Sequence, residues 1–469
     1  MTEKGLAGTF EQRAHGQLAI AGQASAIGSA MDTILGNRGR VFAGVDLEAL
    51  RAEGEAIRAH TIANLATYLD RFAENAEANG TKVFFADTAA EAVGYVRSVL
   101  GEHDARLVVK GKSMAAEEIG LNRALEADGV EVVETDLGEY IVQIADEAPS
   151  HIIVPAIHKT RGQVRDLFNE THGTELTDAP EQITKFAREH LRKRFLAADV
   201  GITGVNFAVA DTGSFVIVTN EGNGRMCSSL PRVHLALMGM ERIVPSFREL
   251  AVLLPLLTGS ATGQQVTTYV NAVSGPRRPE DPDGPEEVHV VVIDNGRSAI
   301  LRTEFRSILH CIRCGACQNV CPVYRQVGGH AYGAVYGGPI GAVLTPLLDG
   351  FERWGDLPHA SSLCGACADV CPVRIPLHEH LLGLRRAVAA ERAGRAERAA
   401  FAAWGAVWSS ARRYRLVARV ARLAQFPFAG NQRIRRAPFP LSRWTRGGDL
   451  PAVASRTFRE RWKGRGRGA

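Results

Sequence analysis

The stretch His310 to Tyr324, HCIRCGACQNVCPVY, constrains this chain more than any other. It places Cys311, Cys314, Cys317 and Cys321 within eleven residues and follows the last with Pro322. The spacing C-x2-C-x2-C-x3-C-P lets one tight turn present three sulfurs convergently while the fourth reaches a second centre, the arrangement of bacterial two-cluster ferredoxins. A second stretch, SSLCGACADVCPV, repeats the frame as Cys364, Cys367 and Cys371 before Pro372, with Ser361 in the place of the leading cysteine. Seven of the eight cysteines fall between Cys311 and Cys371, and the eighth is Cys227. In a reducing compartment such clustering argues for metal ligation over disulfides. Structural zinc sites use two separated pairs of ligands, so a third C-x2-C step ending in Cys-Pro disfavours zinc.

The cross-over rule assigns Cys311, Cys314, Cys317 and Cys371 to a first 4Fe-4S cluster and Cys321, Cys364 and Cys367 to a second. The second set is one thiolate short. Its fourth iron is left to Ser361, water or a ligand from elsewhere, or is absent, giving a 3Fe-4S centre. Cys227 is expected to be a buried, unreactive thiol rather than the missing ligand. Cys321 and Cys364 stand 43 positions apart, with GGHAYGAVYGGPIGAVLTPLL between them. The glycines there would permit close backbone approach and amide donation to cluster sulfurs, and a helix after them points to the helical type of two-cluster ferredoxin domain. Two neighbouring clusters make a wire, so electron transfer is the expected role.

With 469 residues, 45% of them apolar and 23% charged, the chain is long enough for two or three globular units. The start, MTEKGLAGTFEQRAHGQLAI, lacks an uninterrupted apolar segment and does not read as a secretory signal. The most apolar run, Leu250 to Gly259, is about half the roughly 20 residues a membrane helix needs and carries Pro255. The expectation is a cytoplasmic chain with no transmembrane segment. Charge is unevenly spread. From Arg386 onward there are 20 Lys and Arg against 4 Asp and Glu, net +16, which leaves −12 for residues 1–385. This basic end also carries Phe401, Trp404 and Trp408 on one helical face, together with Trp444 and Trp462. Such large apolar anchors favour a protein or an anionic membrane surface over nucleic acid as the partner.

Between these features lies an α/β pattern. Apolar spacing over residues 46–79 predicts one helix closed by Asn79-Gly80. The runs KVFFAD, RLVVKG, HIIVPAI, NFAVAD, SFVIVT and VHVVVI read as strands, several separated by helical stretches such as Thr88 to Leu100, which suggests a largely parallel sheet. Asp211-Thr212-Gly213 separates two strands with no room for a crossover and reads as a hairpin turn. Ser274 to Glu287 reads as an exposed linker before a last strand. The expected division is a helical segment at 1–60, an α/β domain at 61–297, a helical ferredoxin-type 4Fe-4S domain at 298–385 and a basic helical region at 386–469.

Weaker signals dot the α/β part. VVKGKSM lacks the leading glycine of a phosphate loop, where Arg106 stands, but Lys110, Lys112 and Ser113 on a strand-to-helix turn are candidates for holding a small anion. Asp136, Glu139, His151 and His158 fall near strand ends, and Glu221, Asn223 and Arg225 sit on a glycine-rich turn. Each is more economically a satisfied structural residue. No G-x-G-x-x-G supports a dinucleotide.

Taken together, KGKSMAAEEIGLN, ETDLGEYIVQIADEAPSHIIVPAIHKTR, DTGSFVIVTNEGNGR, the two cysteine frames and the Trp-containing basic end resemble the lactate utilization protein B family of bacterial iron-sulfur proteins. The resemblance implies membership of a three-protein system that oxidises L-lactate to pyruvate and supports growth on lactate. The partners it implies are the other subunits, with a quinone or membrane-surface acceptor beyond them. It also implies an α/β domain similar to the sugar-phosphate isomerase and coenzyme A transferase fold, and two 4Fe-4S centres on the seven clustered cysteines. Relatives likewise carry three cysteines in the second frame. A departure is the end, where an Arg is expected before Asp449-Leu450-Pro451. No residue is read as a base for lactate. The competing reading makes the α/β domain an acyl or sugar-phosphate enzyme with regulatory clusters.

Overall fold

Short β-branched runs need partners on both edges and cover on both faces, and here they find them in a parallel sheet. The computed structural model describes residues 8–430, 432–438, 442, 445 and 448–465. Its α/β part contains β1 (Lys82–Ala86), β2 (Leu107–Lys110), β3 (Glu131–Glu134), β4 (Val200–Gly204), β5 (Phe207–Val209), β6 (Ser214–Thr219), β7 (Val233–Gly239), β8 (Ile243–Val244), β9 (Tyr269–Val273) and β10 (Glu287–Ile293). Six of these make a sheet ordered β1-β10-β7-β4-β2-β3. All of its pairings are parallel, with Val108 beside Val200 and Val200 beside Val233. The remaining four form a second sheet, β8-β5-β6-β9.

The hairpin at Asp211-Thr212-Gly213 is present, with β5 and β6 antiparallel. Gly213 adopts φ +65°, and a Cβ there would lie 2.2 Å from the Ala76 backbone nitrogen, so both conformation and space demand glycine. The Asn75 and Asn79 side-chain amides donate to Ala210 O and Thr212 O at 2.8 and 2.9 Å, fastening the preceding helix to this turn.

Three expectations need correction. The helix expected over 46–79 is two. Helices α1 (Phe10–Leu18), α2 (Gln23–Val41), α3 (Leu47–Ala63) and α4 (Leu65–Ala78) lead the chain, and Asn64 separates the last two. The Asn64 amide donates to His60 O at 2.8 Å, competing with the backbone ladder. HIIVPAI is not a strand but an irregular segment, because His151 Nδ1 accepts the N–H groups of Ile153 and Val154 that a ladder would need. The third concerns one half of the expectation for the glycines between Cys321 and Cys364, whose close backbone approach is present but whose amides do not donate to cysteine sulfur among the described residues. A Cβ on Gly329 would lie 1.7 Å from Ser150 O, and one on Gly341 1.7 Å from Tyr336 O. They serve backbone packing. The backbone N–H donors to cysteine sulfur come instead from Arg313, Tyr324 and Ile375.

After β10 the chain turns helical around the cysteines, with helices Ala316–Val320, Gly338–Asp349 and Leu377–Arg392 among them. One continuous apolar core joins Ile27 and Met31 of α2, Phe72 of α4, Phe207 and Phe215 of the second sheet, and Ile308, Tyr324 and Leu344 of the cysteine region. Residues 1–387 accordingly form one compact unit and residues 388–469 another. The second contains helices Arg395–Trp408 and Ala411–Ala424 and a small antiparallel sheet. Phe401, Trp404, Trp408 and Trp462 are exposed there, and Trp404 and Trp408 pack with centroids 5.8 Å apart. Trp444 lies outside the described residues. Among the described residues no single helix is long and apolar enough to cross a membrane.

Candidate functional site

The two cysteine frames adopt the same backbone fifty residues apart. Arg313 and Leu363 both take φ near +55° (59° and 55°), and Gly315 and Gly365 follow in the left-handed region at 75° and 85°. A short helix then begins at Ala316 in one frame and Ala366 in the other. Non-glycine residues rarely accept this conformation, so the pair of strained positions marks a turn maintained for what it presents. The Arg313 N–H donates to Cys311 Sγ at 3.4 Å. At the equivalent place the Leu363 N–H donates to Ser361 Oγ at 3.1 Å. Ser361 thus occupies the position of the leading cysteine in its hydrogen bond as well as in sequence.

None of the eight cysteines is in a disulfide. Cys314, Cys317, Cys321, Cys367 and Cys371 are buried, Cys311 is partly buried and Cys364 is exposed. Burial, followed by the charges of Cys371 and Cys311, pushes the Cys314 thiol up. Cys317 is raised by burial and then by Cys311, Cys314, Cys367 and Cys371. Cys371 is pushed up to about 11, mainly by burial, with Cys311 adding to it. The second gathering is Cys321, Cys364 and Cys367. Burial comes first for Cys321 and Cys367, with the latter pushed up to about 12, and each feels Cys364. The two gatherings adjoin at Cys317 and Cys367, the charge of Cys367 adding to the rise of Cys317. Thiols buried together in this way are stable as thiolates only around a cationic centre, so the donor set fits iron-sulfur clusters. Cys227 sits elsewhere, fully buried beside Thr135 Oγ1 at 3.4 Å and pushed up to about 12 by burial, as an inert thiol should be.

Beside the first gathering lies a cavity of about 270 Å³ at the carboxyl ends of β2, β4 and β7, the usual ligand position of an open parallel sheet. Lys112, Ser113, Asn206, Glu221, Arg242 and Arg313 are among the residues around it. A chain of buried charges runs along one wall. Arg297 pairs with Glu118 at 2.8 Å and with Glu241 at 2.6 Å, and Glu241 pairs with Arg313 at 3.0 Å. Tyr336 donates to Glu118 at 2.8 Å and lies under the Arg313 guanidinium. Burial would raise the Glu241 carboxyl, but Arg297 and Arg313 outweigh it and bring it down to about 2. Arg58 of α3 spends its guanidinium on the carbonyls of Glu241, Ile243, Leu309 and His310, joining sheet to cysteine loop.

The weaker candidates separate cleanly. Lys110 is fully buried and paired with Glu134 at 2.7 Å and Glu117 at 3.3 Å, which removes it as an anion ligand. Lys112 reaches the cavity but donates to Ile153 O at 2.6 Å, and Ser113 caps Met114–Glu118. Asp136 caps Leu137–Ile144 at the cavity edge. Glu139 is buried nearby, its carboxyl raised by burial first. His151 is fully buried against Asn319 at 3.1 Å and lowered to about 3 by burial, a joint between the α/β and cysteine regions. His158 meets Glu147 at 2.6 Å, and these two with His330 place ligand atoms within 4.8 Å of one another. Glu221 and Asn223 line the cavity, whereas Arg225 is exposed outside it. Although Glu221 is exposed along one side, desolvation of its carboxyl and then the charge of Asp136 push it up to about 7. Sequence reasoning missed Arg58, Arg242, Glu241 and Arg297; the one signal it had for Arg313 was its place between two cysteines.

Comparison with known proteins agrees with this layout. The LUD domain family matches residues 69–293, the 4Fe-4S dicluster domain 307–375, and the family "Lactate utilisation protein B, C-terminal" 386–467. Lactate utilization protein B of Bacillus licheniformis is 52% identical over 88% of this chain and 87% of its own. That of Bacillus velezensis is 53% identical over 89% and 88%, and that of Bacillus subtilis 52% over 88% and 87%. A solved DUF162 family protein from Deinococcus radiodurans covers 49% of this chain and 98% of its own at 17% identity, with a TM-score of 0.29. At half identity over nearly nine-tenths of its length, this chain belongs to the lactate utilization protein B family.

Proposed function

We propose that this chain is the iron-sulfur electron carrier of an assembly that oxidises L-lactate to pyruvate. Cys311, Cys314, Cys317 and Cys371 would hold one 4Fe-4S cluster. Cys321, Cys364 and Cys367 would hold the second, with Ser361 facing its fourth corner. The observation that carries the reading is the pair of cysteine turns that share two left-handed positions and a hydrogen bond, one complete and one with serine in the first place, in a chain of this family. Bound clusters would supply one-electron transfer between neighbouring proteins.

The chain's own residues arrange the rest. N–H groups of Arg313, Tyr324 and Ile375 donate to Cys311, Cys321 and Cys371 sulfurs at 3.4 to 3.5 Å, a contact that stabilises negative charge on sulfur. Burial of Cys314, Cys317 and Cys371 keeps water from the first gathering, whereas exposed Cys364 opens the second to an outside partner. The order is therefore first cluster, second cluster, acceptor, the acceptor being a quinone or a protein at a membrane surface.

Anaerobic purification, iron and sulfide analysis, and EPR after stepwise reduction test this directly. Two magnetically interacting centres are expected, and Cys314→Ser should remove the first while leaving the second detectable. Colourless, iron-free protein, or protein holding zinc, would end the proposal.

A further inference from the structure

We infer that the cavity at the carboxyl ends of β2, β4 and β7 binds a short monocarboxylate, of the 2-hydroxy or 2-oxo acid class, through the guanidinium of Arg242. This rests on the electron-carrier reading for the ligand's chemical class, while the site itself stands on geometry.

One wall of the cavity is rich in arginine. Three arginines line it, Arg242, Arg297 and Arg313. Two carboxylates answer them, and both are already spent. Glu118 takes both terminal nitrogens of Arg297, and Glu241 takes Arg297 Nε and Arg313 Nη2. Arg242 is partly buried and makes no side-chain hydrogen bond or ion pair among the described residues, although Glu241 lies near enough to act on it, and Arg313 Nη1, on a residue 5% exposed, has no partner either. A guanidinium is a five-donor fork matched to planar carboxylate oxygens, and burying one without an acceptor is costly. Burial comes first among the influences that lower Arg242, and Arg313 adds to it. A visiting anion would answer both.

The other walls define which anion. Asn206 spends its carbonyl oxygen on the Val218 N–H at 2.8 Å, so its amide N–H2 has no partner among the described residues and is a donor for a hydroxyl or keto oxygen. Asp136 and Glu221 also line the cavity, and they would repel a second negative charge. Lys112 is engaged with Ile153 O, which leaves too few free cations for a phosphate. The volume of about 270 Å³ lies just below the range for drug-sized ligands and leaves ample room for a small carboxylic acid. Because Arg313 lies between Cys311 and Cys314, a ligand here would sit against the first cysteine gathering.

The test is titration calorimetry on the anaerobic, iron-loaded full chain with L-lactate, pyruvate, oxalate and inorganic phosphate. Saturable one-to-one binding of lactate or pyruvate is expected, with oxalate and phosphate weaker. Arg242→Gln should weaken it about tenfold or more, and Arg242→Lys should fall between. Iron content and thermal unfolding of the variants check that they are folded, and the wild-type titrations decide without them. Absence of saturable carboxylate binding, tighter binding of phosphate, or unchanged affinity in folded Arg242→Gln would each overturn the assignment. If Arg242 served only to balance cluster charge, its variants would shift the reduction potential while no ligand bound, which also overturns it. A preparation without iron would count against the electron-carrier reading. Binding measured on that same preparation would still decide for the cavity, since Arg242 and Asn206 follow the ends of β7 and β4 and lie outside the cysteine loops.

Discussion

Ser361 stands where a fourth thiolate would complete the second frame, and its hydroxyl already takes the backbone N–H that Cys311 takes in the first. Replacing it with cysteine therefore asks for no backbone change. Ser361→Cys is expected to give a second centre that keeps four irons on brief exposure to air, whereas the wild type should lose one and show a three-iron EPR signal. If that signal persists at full strength in the variant, Ser361 does not face the open corner. The cysteines were legible in the sequence because their chemistry depends on local spacing, which one turn sets. Arg242 was not, since a polar residue between Glu241 and Ile243 looks like ordinary surface until the fold turns it to a cavity wall. Arg58 and Arg297 escaped for the same reason, being 1% exposed yet carrying no motif.

At the level of elements, the charged chain Glu118, Arg297, Glu241, Arg313 ties β7 and the segment after β10 to the first cysteine turn. Removing the middle carboxylate leaves two buried arginines undercompensated, and Glu241→Gln should cost about 3 to 5 kcal/mol, seen as a lower melting temperature. The sign with pH follows from the direction of the shift. Glu241 is held at about 2, below the roughly 4.3 of an unfolded glutamate, so the unfolded chain takes up the proton first. Its stabilisation is complete above about pH 5 and is lost as the pH falls toward 2. Between pH 8 and 5 the gap between wild type and variant should stay flat; a gap that narrows in that window would show the carboxylate is not held down. The sheet itself was only half legible. Strands β1, β2 and β10 announce themselves as apolar, β-branched runs, but β3 has only Val132 and Val133 between two glutamates, β4 is interrupted by Gly201 and β7 is buried at every position. Short or fully buried strands lose the alternation that distinguishes strand from helix, and only their parallel neighbours identify them.

Over the whole molecule, charge and apolar surface are divided between a body of net −12 and a basic end of net +16. The basic end exposes Trp404 and Trp408, 61% and 57% accessible, in ring contact with each other. Two indoles held together in water are costly unless a partner covers them, and burying large apolar side chains at an interface is worth about 1.5 to 3 kcal/mol each. The surrounding arginines contribute differently. Their attraction is screened as the Debye length falls from about 10 Å at 0.1 M salt to about 3 Å at 1 M, whereas apolar burial does not weaken. The two contributions can therefore be separated. When the full chain is co-expressed with the other components of the lactate system, the double variant Trp404→Ser, Trp408→Ser should bind them at least tenfold more weakly at low and high salt alike, with its iron content unchanged. Wild-type binding should weaken with salt in parallel. If the variant co-purifies as well as the wild type, the tryptophans are not the anchor, and the arginines alone hold whatever the carrier delivers its electrons to.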